Sequence, residues 1–288
     1  MANDLTVKEG RLYGAWRQPI NIWSNLPGSI HNDEVAASIG MRGGTIPGTV
    51  HLNLFGPLLM NLRGKKWWEN GSISMYYTYA TKHKEDVRAV IMLPAENKGN
   101  VKMDAWVETP NAQVVCKGTV SVGQPGEGYV RKLELKNSTP GEARILADLT
   151  PGTRMPDRDM IVRVQDLDKS LETNTDPLDA YRENSPWGLR VIPPTMLYQP
   201  LNVGFPRDCI KQPSVGFFGA TEIRVFSGPI KVGVTYTTRG KVVAVGVTDK
   251  TEYAWVDSEM FDKGSTKLIA DMRHMTRWMK ASSPLWSM

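Results

Sequence analysis

The sequence lacks the features that mark several special classes of protein. No apolar run approaches the ~20 residues that a membrane-spanning helix needs. The first ten residues, MANDLTVKEG, contain no apolar core of a signal peptide. The two cysteines, Cys116 and Cys209, lie far apart, and no group of His, Cys and carboxylate residues has metal-ligand spacing. We therefore expect a cytoplasmic protein that crosses no membrane and uses no metal, cofactor or disulfide framework.

The composition itself is that of a globular protein with enough residues to bury a large core. The chain has 288 residues, of which 41% are hydrophobic and 23% charged, and its formal net charge is +5. The basic residues are scattered, and the one compact group is RGKK at 63–66. Because a nucleic-acid-binding protein typically concentrates basic charge on one face, we expect a small-molecule ligand and no nucleic acid.

The second half of the chain repeats the first half in outline. Three segments reappear in the same order: IPGTVHL (46–52) as IPPTMLY (192–198), GSISMYYTYATKHKEDVRAV (71–90) as GPIKVGVTYTTRGKVVAV (228–245), and AWVET (105–109) as AWVDS (254–258). This order favours an internal duplication, with convergent strand composition as the alternative. The duplication predicts a first unit at 1–125, a connecting segment at 126–160 and a second unit at 161–288.

Each unit is predicted to combine a long apolar helix with an antiparallel sheet. In the first unit the helix covers 48–62; Gly56-Pro57 is expected to kink or break it, and Gly64 to cap it. Segments rich in Tyr, Thr and Val predict the strands that follow, at 72–81, 86–94, 101–109 and 113–122. The apolar helix is expected to cover one face of this sheet.

Two further helices are predicted in the second unit. One lies at about 194–205, in the position that corresponds to the first unit's long helix. The other is the C-terminal segment STKLIADMRHMTRWMK (265–280), in which Leu268, Met272 and Met275 share one side of a helix. His274 lies beside that apolar side and is assigned a structural role.

One stretch, SIHNDEVAASIGMRGGTIPGTVHLNLFGPLL (29–59), has the order of a catalytic site: a histidine on a loop, a short helix, a glycine-rich turn and the apolar helix. Ile30-His31-x-Asp33, followed by Gly48 at the helix start, resembles the signature of the MaoC-like dehydratases and R-specific enoyl-CoA hydratases. The repeated unit is similar to the double hot-dog architecture. The resemblance implies an α+β double hot-dog protein in which two long helices are each wrapped by an antiparallel sheet.

The chemistry that the resemblance implies needs a base and an oxyanion donor. Adding water to a double bond next to a carbonyl, or removing it, requires a base near the β-carbon and a donor at the carbonyl oxygen. His31 fits the base, because an imidazole titrates near neutral pH. Gly48 fits the donor, because a residue at a helix N-terminus has a free backbone N–H. Asp33 is the third candidate catalytic residue, although capping of the short helix also explains it.

The sequence departs from this signature at one position that matters for the mechanism. Counting back from His31, Leu26 stands where the family has its catalytic aspartate, and a leucine cannot hold a proton. We therefore expect a substitute within hydrogen-bond reach of the imidazole. The candidates are Asp33, Glu34, Asp157, Asp159, or a tyrosine or serine hydroxyl. A carboxylate would keep dehydration by two groups credible, whereas a hydroxyl or backbone carbonyl favours chemistry with a single base.

The function expected from these residues is a lyase of the hydratase or dehydratase type, acting next to the carbonyl or thioester of an apolar substrate. The candidate substrate-binding residues are His51, Thr49, Trp23 and Tyr76. The resemblance suggests a coenzyme A thioester as substrate and a homodimer or higher homo-oligomer as the assembly. A non-catalytic ligand-binding protein, a hot-dog isomerase and a thioesterase remain as alternatives.

A single site per chain is expected, in the first unit. Pro194 stands in the second unit where the first has Gly48, and proline has no N–H to donate. The second unit also has no histidine before residue 274. The thioesterase alternative is disfavoured because the helical segment 48–66 contains no Asp or Glu.

Overall fold

The computed structural model describes residues 5–94, 99–123, 126–173, 176, 178–183, 185–206 and 208–287. The α-helices of these residues are short: α1 Asp33–Ser38, α2 Gly56–Arg63, α3 Lys66–Glu69, α4 Val164–Leu171 and α5 Tyr198–Leu201. The 3-10 helices are Gly48–Phe55, Val130–Lys132, Asp179–Tyr181, Pro194–Leu197, Lys280–Ser282 and Pro284–Trp286. The strands are β1 Thr6–Lys8, β2 Arg11–Tyr13, β3 Gly71–Tyr77, β4 Arg88–Met92, β5 Val101–Glu108, β6 Val114–Val122, β7 Arg154–Ile161, β8 Gly216–Val225, β9 Thr235–Val247, β10 Thr251–Asp262 and β11 Leu268–Met279.

All of these strands form one sheet, and corresponding strands follow in the same order outward from its centre in the two halves. The order is β1-β2-β4-β5-β6-β3-β8-β11-β10-β9-β7, and every pairing is antiparallel. Strand β3 pairs with β8 at the centre, where Ile73 lies opposite Ile223. Outward from this junction, β6, β5 and β4 of one half correspond to β11, β10 and β9 of the other. The topology is therefore that of a duplicated unit.

Two of the three repeated segments occupy equivalent places in the halves. Gly48 and Pro194 each open a 3-10 helix that follows a proline, and Trp106 and Trp255 lie in the corresponding strands β5 and β10. The remaining pair of repeated segments, 71–90 and 228–245, is equivalent only in the part that forms β4 and β9. Its opening part is wrong, because Gly71 begins β3 whereas the loop that contains Gly228 follows β8, the true counterpart of β3.

The long helix of the first unit is divided as the sequence predicts. The 3-10 helix Gly48–Phe55 passes into α2 at Gly56-Pro57, and Gly64 ends α2 with a positive φ of 54°. Its apolar side chains are buried against the sheet: Leu52, Leu54, Phe55, Leu58 and Leu59. This packing holds Gly48 and the first turn of the 3-10 helix at the end of β3.

The C-terminal helix predicted at 265–280 is wrong, because these residues form β11. The strand lies between β8 and β10, and buried side chains such as Met272, Met275 and His274 project from both of its faces. A strand that is covered on both faces loses the simple alternation of apolar and polar residues. Its methionines therefore gave a spacing that is also compatible with a helix.

The connecting segment predicted at 126–160 is more regular than expected, since it contains β7, which pairs with β9. Its first part is fixed to the sheet by Glu222, whose side chain is fully buried. The Glu222 carboxylate accepts hydrogen bonds from Ser74 Oγ at 2.8 Å, Gly128 N at 2.9 Å and Arg131 N at 3.0 Å. The unit boundaries at 125 and 161 stay predictions. Within the described residues, no helix has the length and hydropathy of a transmembrane segment.

Candidate functional site

A cavity of about 290 Å³ lies where the start of the 3-10 helix Gly48–Phe55 meets the end of β3 and the start of β8. Its described lining is Ile30, His31, Met41, Thr45, Ile46, Pro47, Gly48, His51, Tyr77, Thr78, Tyr79, Ala80, Gly216, Phe217 and Phe218. None of these residues is Asp, Glu, Lys or Arg. The cavity therefore combines an apolar and aromatic wall with two imidazoles, and it draws on both halves of the chain.

The loop before the 3-10 helix is tied to the segment that follows β3. Thr45 forms an isolated antiparallel bridge with Lys82, and the Ile46 amide donates to the Thr81 carbonyl at 2.9 Å. The Thr45 amide donates in turn to the Ile30 carbonyl at 3.0 Å. These backbone contacts fix the two segments that hold the imidazole rings.

His31 has one nitrogen anchored to the backbone. Its Nδ1 lies 2.7 Å from the Thr45 carbonyl oxygen, and because a carbonyl can only accept, Nδ1 carries the proton. Nε2 of the neutral ring is then the basic nitrogen. Burial lowers the pKa of His31 below its ordinary value, and the hydrogen bond to Thr45 opposes this effect. The ring also packs against Trp23, with 5.9 Å between the ring centroids.

The hydrogen-bond partner of the His31 ring among the described residues is therefore the Thr45 carbonyl. Asp33 is turned away from the imidazole, since its Oδ1 accepts the Gly44 N–H at 2.7 Å. Asp159 is on β7, where it pairs with Lys263 and Thr237. Leu26 is half exposed and does not line the cavity. No carboxylate among the described residues hydrogen-bonds to the His31 ring.

The cap of the short helix α1 is also one residue earlier than predicted. Asn32, not Asp33, is the N-cap, and its side-chain oxygen accepts from the amides of Glu34 and Val35 at 3.0 and 3.1 Å. Asp33 is the first residue of the helix and fixes the glycine-rich turn through Gly44. The sequence allowed both roles because Asn and Asp are comparable caps.

Gly48 lies at the first position of its 3-10 helix, where a side chain would be crowded. A Cβ at this position would lie 3.0 Å from three carbons of the Tyr77 ring. The Tyr77 hydroxyl donates to Thr221 Oγ1 at 3.2 Å, and the Thr221 hydroxyl is itself 2.9 Å from His274 Nδ1. This chain of contacts from the second half holds the Tyr77 ring over Gly48.

His51 lies three residues into the same helix and is 2% exposed. Its Nε2 is 2.8 Å from Thr81 Oγ1, whereas its Nδ1 has no hydrogen-bond partner among the described residues. Burial lowers the pKa of His51 to about 4, against a smaller opposing effect of Glu85. The ring is therefore neutral at physiological pH.

The other predicted substrate-binding residues are only partly brought to the cavity. Thr49 is buried but does not line it, and Trp23 reaches it only through the His31 ring. Tyr76 is not brought to it, because its hydroxyl accepts from Arg277 on the opposite face of the sheet. Tyr77, the next residue, lines the cavity. Side chains alternate along a strand, so a shift of one position changes the face.

Sequence reasoning missed Phe217 and Phe218, which close the cavity from the second half. Little in the sequence pointed to these two residues, because they lie outside the repeated segments and reach the site only through the pairing of β3 with β8. Three tryptophans, Trp67, Trp68 and Trp187, form a separate aromatic cluster near the start of β3. The centroids of Trp68 and Trp187 are 6.3 Å apart, and Trp67 is buried beside them.

No group of three or more His, Cys, Asp and Glu side chains in the described ranges has the arrangement of a metal site. His274, the remaining buried histidine of the second half, touches Tyr198 and Phe218 with ring centroids at 4.8 and 4.6 Å. Burial lowers its pKa to about 3. These contacts match the structural role expected for it, although on a strand and not on a helix.

The sequence matches no protein-family model and no curated protein. Solved structures share its fold. One is a Chloroflexus aurantiacus J-10-fl protein provisionally assigned as a MaoC domain dehydratase, with TM-score 0.61, 13% identity and coverage of 92% of this chain and 93% of that one. A second is a conserved Mycobacterium tuberculosis protein described as having a double hot-dog fold, with TM-score 0.58, 8% identity and 97% of both chains covered. A MaoC-like dehydratase follows with TM-score 0.51, 11% identity, and 92% and 96% covered. The chain therefore has the expected double hot-dog fold.

Proposed function

We propose that the protein is a lyase of the hydratase or dehydratase type, which moves a proton next to the carbonyl of an apolar acyl thioester. The observation that carries the proposal is the state of His31 at the cavity. Its Nδ1–H is bound to Thr45, so the basic Nε2 is available to a ligand. Two structural neighbours have names that describe MaoC-type dehydratases, one of them as a provisional assignment, and these names support the same chemistry.

In this proposal a single base carries out the proton transfer. Neutral His31 removes the proton next to the carbonyl, and the enolate oxygen that forms is stabilised by the Gly48 N–H at the positive end of the helix. The protonated ring then returns its proton to the leaving hydroxyl group, which departs as water. Hydration is the reverse sequence. The Thr45 carbonyl keeps the ring oriented through both steps and favours its protonated form as it develops.

The same parts would support isomerisation, with the proton returned to the γ-carbon instead of a hydroxyl. What favours a single-base reaction of either kind is the absence of Asp and Glu from the described lining of the cavity. That absence also weighs against a thioesterase that uses a helix acid. Asp33 acts in this proposal through Gly44, as a residue that positions the loop, and Thr49 and Trp23 support the helix start and the His31 ring.

The substrate class follows from the lining of the cavity. Phe217, Phe218 and Met41 offer apolar contacts to an acyl chain, and the described lining presents no fixed charge to it. A polar carrier such as coenzyme A would remain outside. We propose a cytoplasmic homo-oligomer as the working form, in line with the sequence-based expectation.

The test compares two substitutions of His31 with crotonyl-coenzyme A as the hydration probe. His31→Asn keeps a donor near the position of Nδ1 and can still bind the Thr45 carbonyl, but it has no base. We expect both His31→Asn and His31→Ala to lower kcat/KM by roughly 10²- to 10⁴-fold, the usual contribution of a general base. His31→Asn should retain the wild-type thermal unfolding midpoint. Near-wild-type turnover by either variant would contradict the proposal, and thioester binding without any turnover by the wild type would favour the non-catalytic alternative.

A further inference from the structure

The second imidazole of the cavity has a polar atom that the fold leaves without a partner. His51 Nδ1 is buried and has no hydrogen-bond partner in the described part of the chain, although the ring lines the cavity. Buried polar atoms in native proteins are nearly always hydrogen-bonded, and each exception calls for a physical reason. A ligand in the cavity supplies such a reason.

The contact of His51 with Thr81 indicates which nitrogen carries the proton. Thr81 is 1% exposed, and among the described residues its hydroxyl forms a hydrogen bond only with His51 Nε2. If Nε2 donated to Thr81, the threonine proton and the Nδ1 lone pair would both be buried without partners. If Thr81 donates to Nε2 instead, one group alone is left over, the Nδ1–H. The second arrangement leaves fewer polar groups unpaired, and it makes Nδ1 a donor.

The position of His51 in its helix puts it on the same side as Gly48, the proposed oxyanion donor. A 3-10 helix has three residues per turn, so residues three apart lie one above the other on the same side. Gly48 and His51 have this spacing in the helix Gly48–Phe55, and both line the cavity. His31 faces the same cavity from the loop.

We infer that the Nδ1–H of His51 donates a hydrogen bond to the carbonyl oxygen of the bound thioester, beside the Gly48 N–H. The inference rests on the proposed function, and it makes His51 a catalytic residue that touches the substrate. An enolate oxygen carries two or three acceptor sites, and oxyanion holes typically use more than one donor. His51 would remain a neutral donor throughout the physiological pH range, because burial lowers its pKa to about 4.

This arrangement also restricts the ligand. It contains one fixed acceptor, His31 Nε2, and two donors, Gly48 N–H and His51 Nδ1–H. A matching ligand has one carbonyl oxygen and, within reach of His31, either an acidic C–H or a hydroxyl group. A 3-hydroxyacyl thioester has both features, and a 2-enoyl thioester has the carbonyl oxygen while the attacking water supplies the hydroxyl group; a carboxylate in the cavity would meet no cationic side chain among its described lining.

The experiment uses two amide variants that separate the nitrogens of His51. In His51→Asn the amide group falls near the position of Nδ1, and in His51→Gln it falls near Nε2. Asparagine thus keeps the donor to the ligand and loses the Thr81 contact, whereas glutamine does the opposite. We expect His51→Gln to lower kcat for crotonyl-coenzyme A hydration by roughly 10²-fold, the effect of losing one oxyanion donor. We expect His51→Asn to stay within about tenfold of the wild type.

The reverse order, with His51→Asn the more damaged variant, would overturn the inference, because it would show that His51 acts through Thr81. Equal losses in both variants would overturn it as well. If the wild type turns over crotonyl-coenzyme A, the proposed function stands whatever the order of the two His51 variants. If the wild type neither turns over crotonyl-coenzyme A nor binds butyryl-coenzyme A, both proposals are wrong.

A second measurement uses the wild-type protein and so does not depend on the folding of a variant. Nitrogen-15 NMR of the wild-type protein with labelled histidine reports which ring nitrogen of His51 is protonated. We expect the proton on Nδ1, with a change in the Nδ1–H resonance when butyryl-coenzyme A, a saturated and unreactive probe, is added. A proton on Nε2, or an unchanged Nδ1–H resonance in the thioester complex, would overturn the inference.

Discussion

The His31 imidazole and the Thr45 carbonyl are joined by a hydrogen bond of 2.7 Å, in which the ring donates through Nδ1. A carbonyl orients the ring and fixes its tautomer, but it carries no full charge. The protonated form of His31 therefore receives less stabilisation than an aspartate would give it. The consequence is a histidine whose pKa is set mainly by burial, and which acts in our proposal without a second acid.

The first prediction concerns pH. Because burial lowers the pKa of His31 in the folded protein, the neutral, basic form persists below the ordinary value of about 6.5. We expect kcat/KM for crotonyl-coenzyme A to be constant above that pH and to fall on acidification, with the midpoint of the fall below about 6.5. A midpoint clearly above 6.5 would instead indicate a carboxylate that stabilises the protonated ring.

The second prediction concerns Gly48. A methyl group at this position meets the Tyr77 ring at 3.0 Å, so Gly48→Ala must displace a ring that Thr221 holds in place. We expect Gly48→Ala to lower the free energy of unfolding by about 1–3 kcal/mol, the usual cost of overpacking, and to reduce turnover. The loss should be at least halved when the same change is made in a Tyr77→Leu background, as measured by urea unfolding. A full loss in that background would mean that the ring is not the obstacle.

The third prediction is one ligand per chain. Pro194 has in the second half the position that Gly48 has in the first, and it has no N–H to offer to a ligand. Titration calorimetry with butyryl-coenzyme A should therefore give a stoichiometry of one per chain. Two equivalents per chain, or binding that survives filling of the first cavity by Gly48→Phe, would contradict it.

The fourth prediction concerns the anchoring of the connecting segment. Glu222 is fully buried and accepts hydrogen bonds from Gly128 and Arg131 of that segment. Glu222→Gln replaces one acceptor oxygen by a donor and should cost about 2–4 kcal/mol of unfolding free energy. The control is Glu259→Gln, because Glu259 pairs with Arg239 on the surface with about half of its side chain exposed, and its loss should cost less than about 1 kcal/mol. Similar effects of the two changes in urea unfolding would refute the anchoring role.

The sequence by itself determined the local structure of the first unit and the existence of two related halves. The break at Gly56-Pro57, the end of α2 at Gly64 and the four strands that follow depend on backbone rules and side-chain periods, which act over a few residues. The loop–helix–glycine order also singled out His31 and Gly48, and the structure brings both to one cavity.

Only the tertiary structure decided what surrounds His31 and Gly48. The choice of Tyr77 over Tyr76 depends on which face of β3 is covered, and the approach of Phe218 depends on the pairing of β3 with β8. The hydrogen bond from His31 to Thr45 uses a backbone carbonyl. Because every residue has such a carbonyl, the sequence does not indicate which one will accept the bond. The assignment of 265–280 failed for a related reason, because packing on both faces of β11 removed the alternation that marks a strand. Contacts between distant segments depend on how the two halves pack together. Local sequence patterns do not indicate that packing, because they reflect interactions over only a few residues.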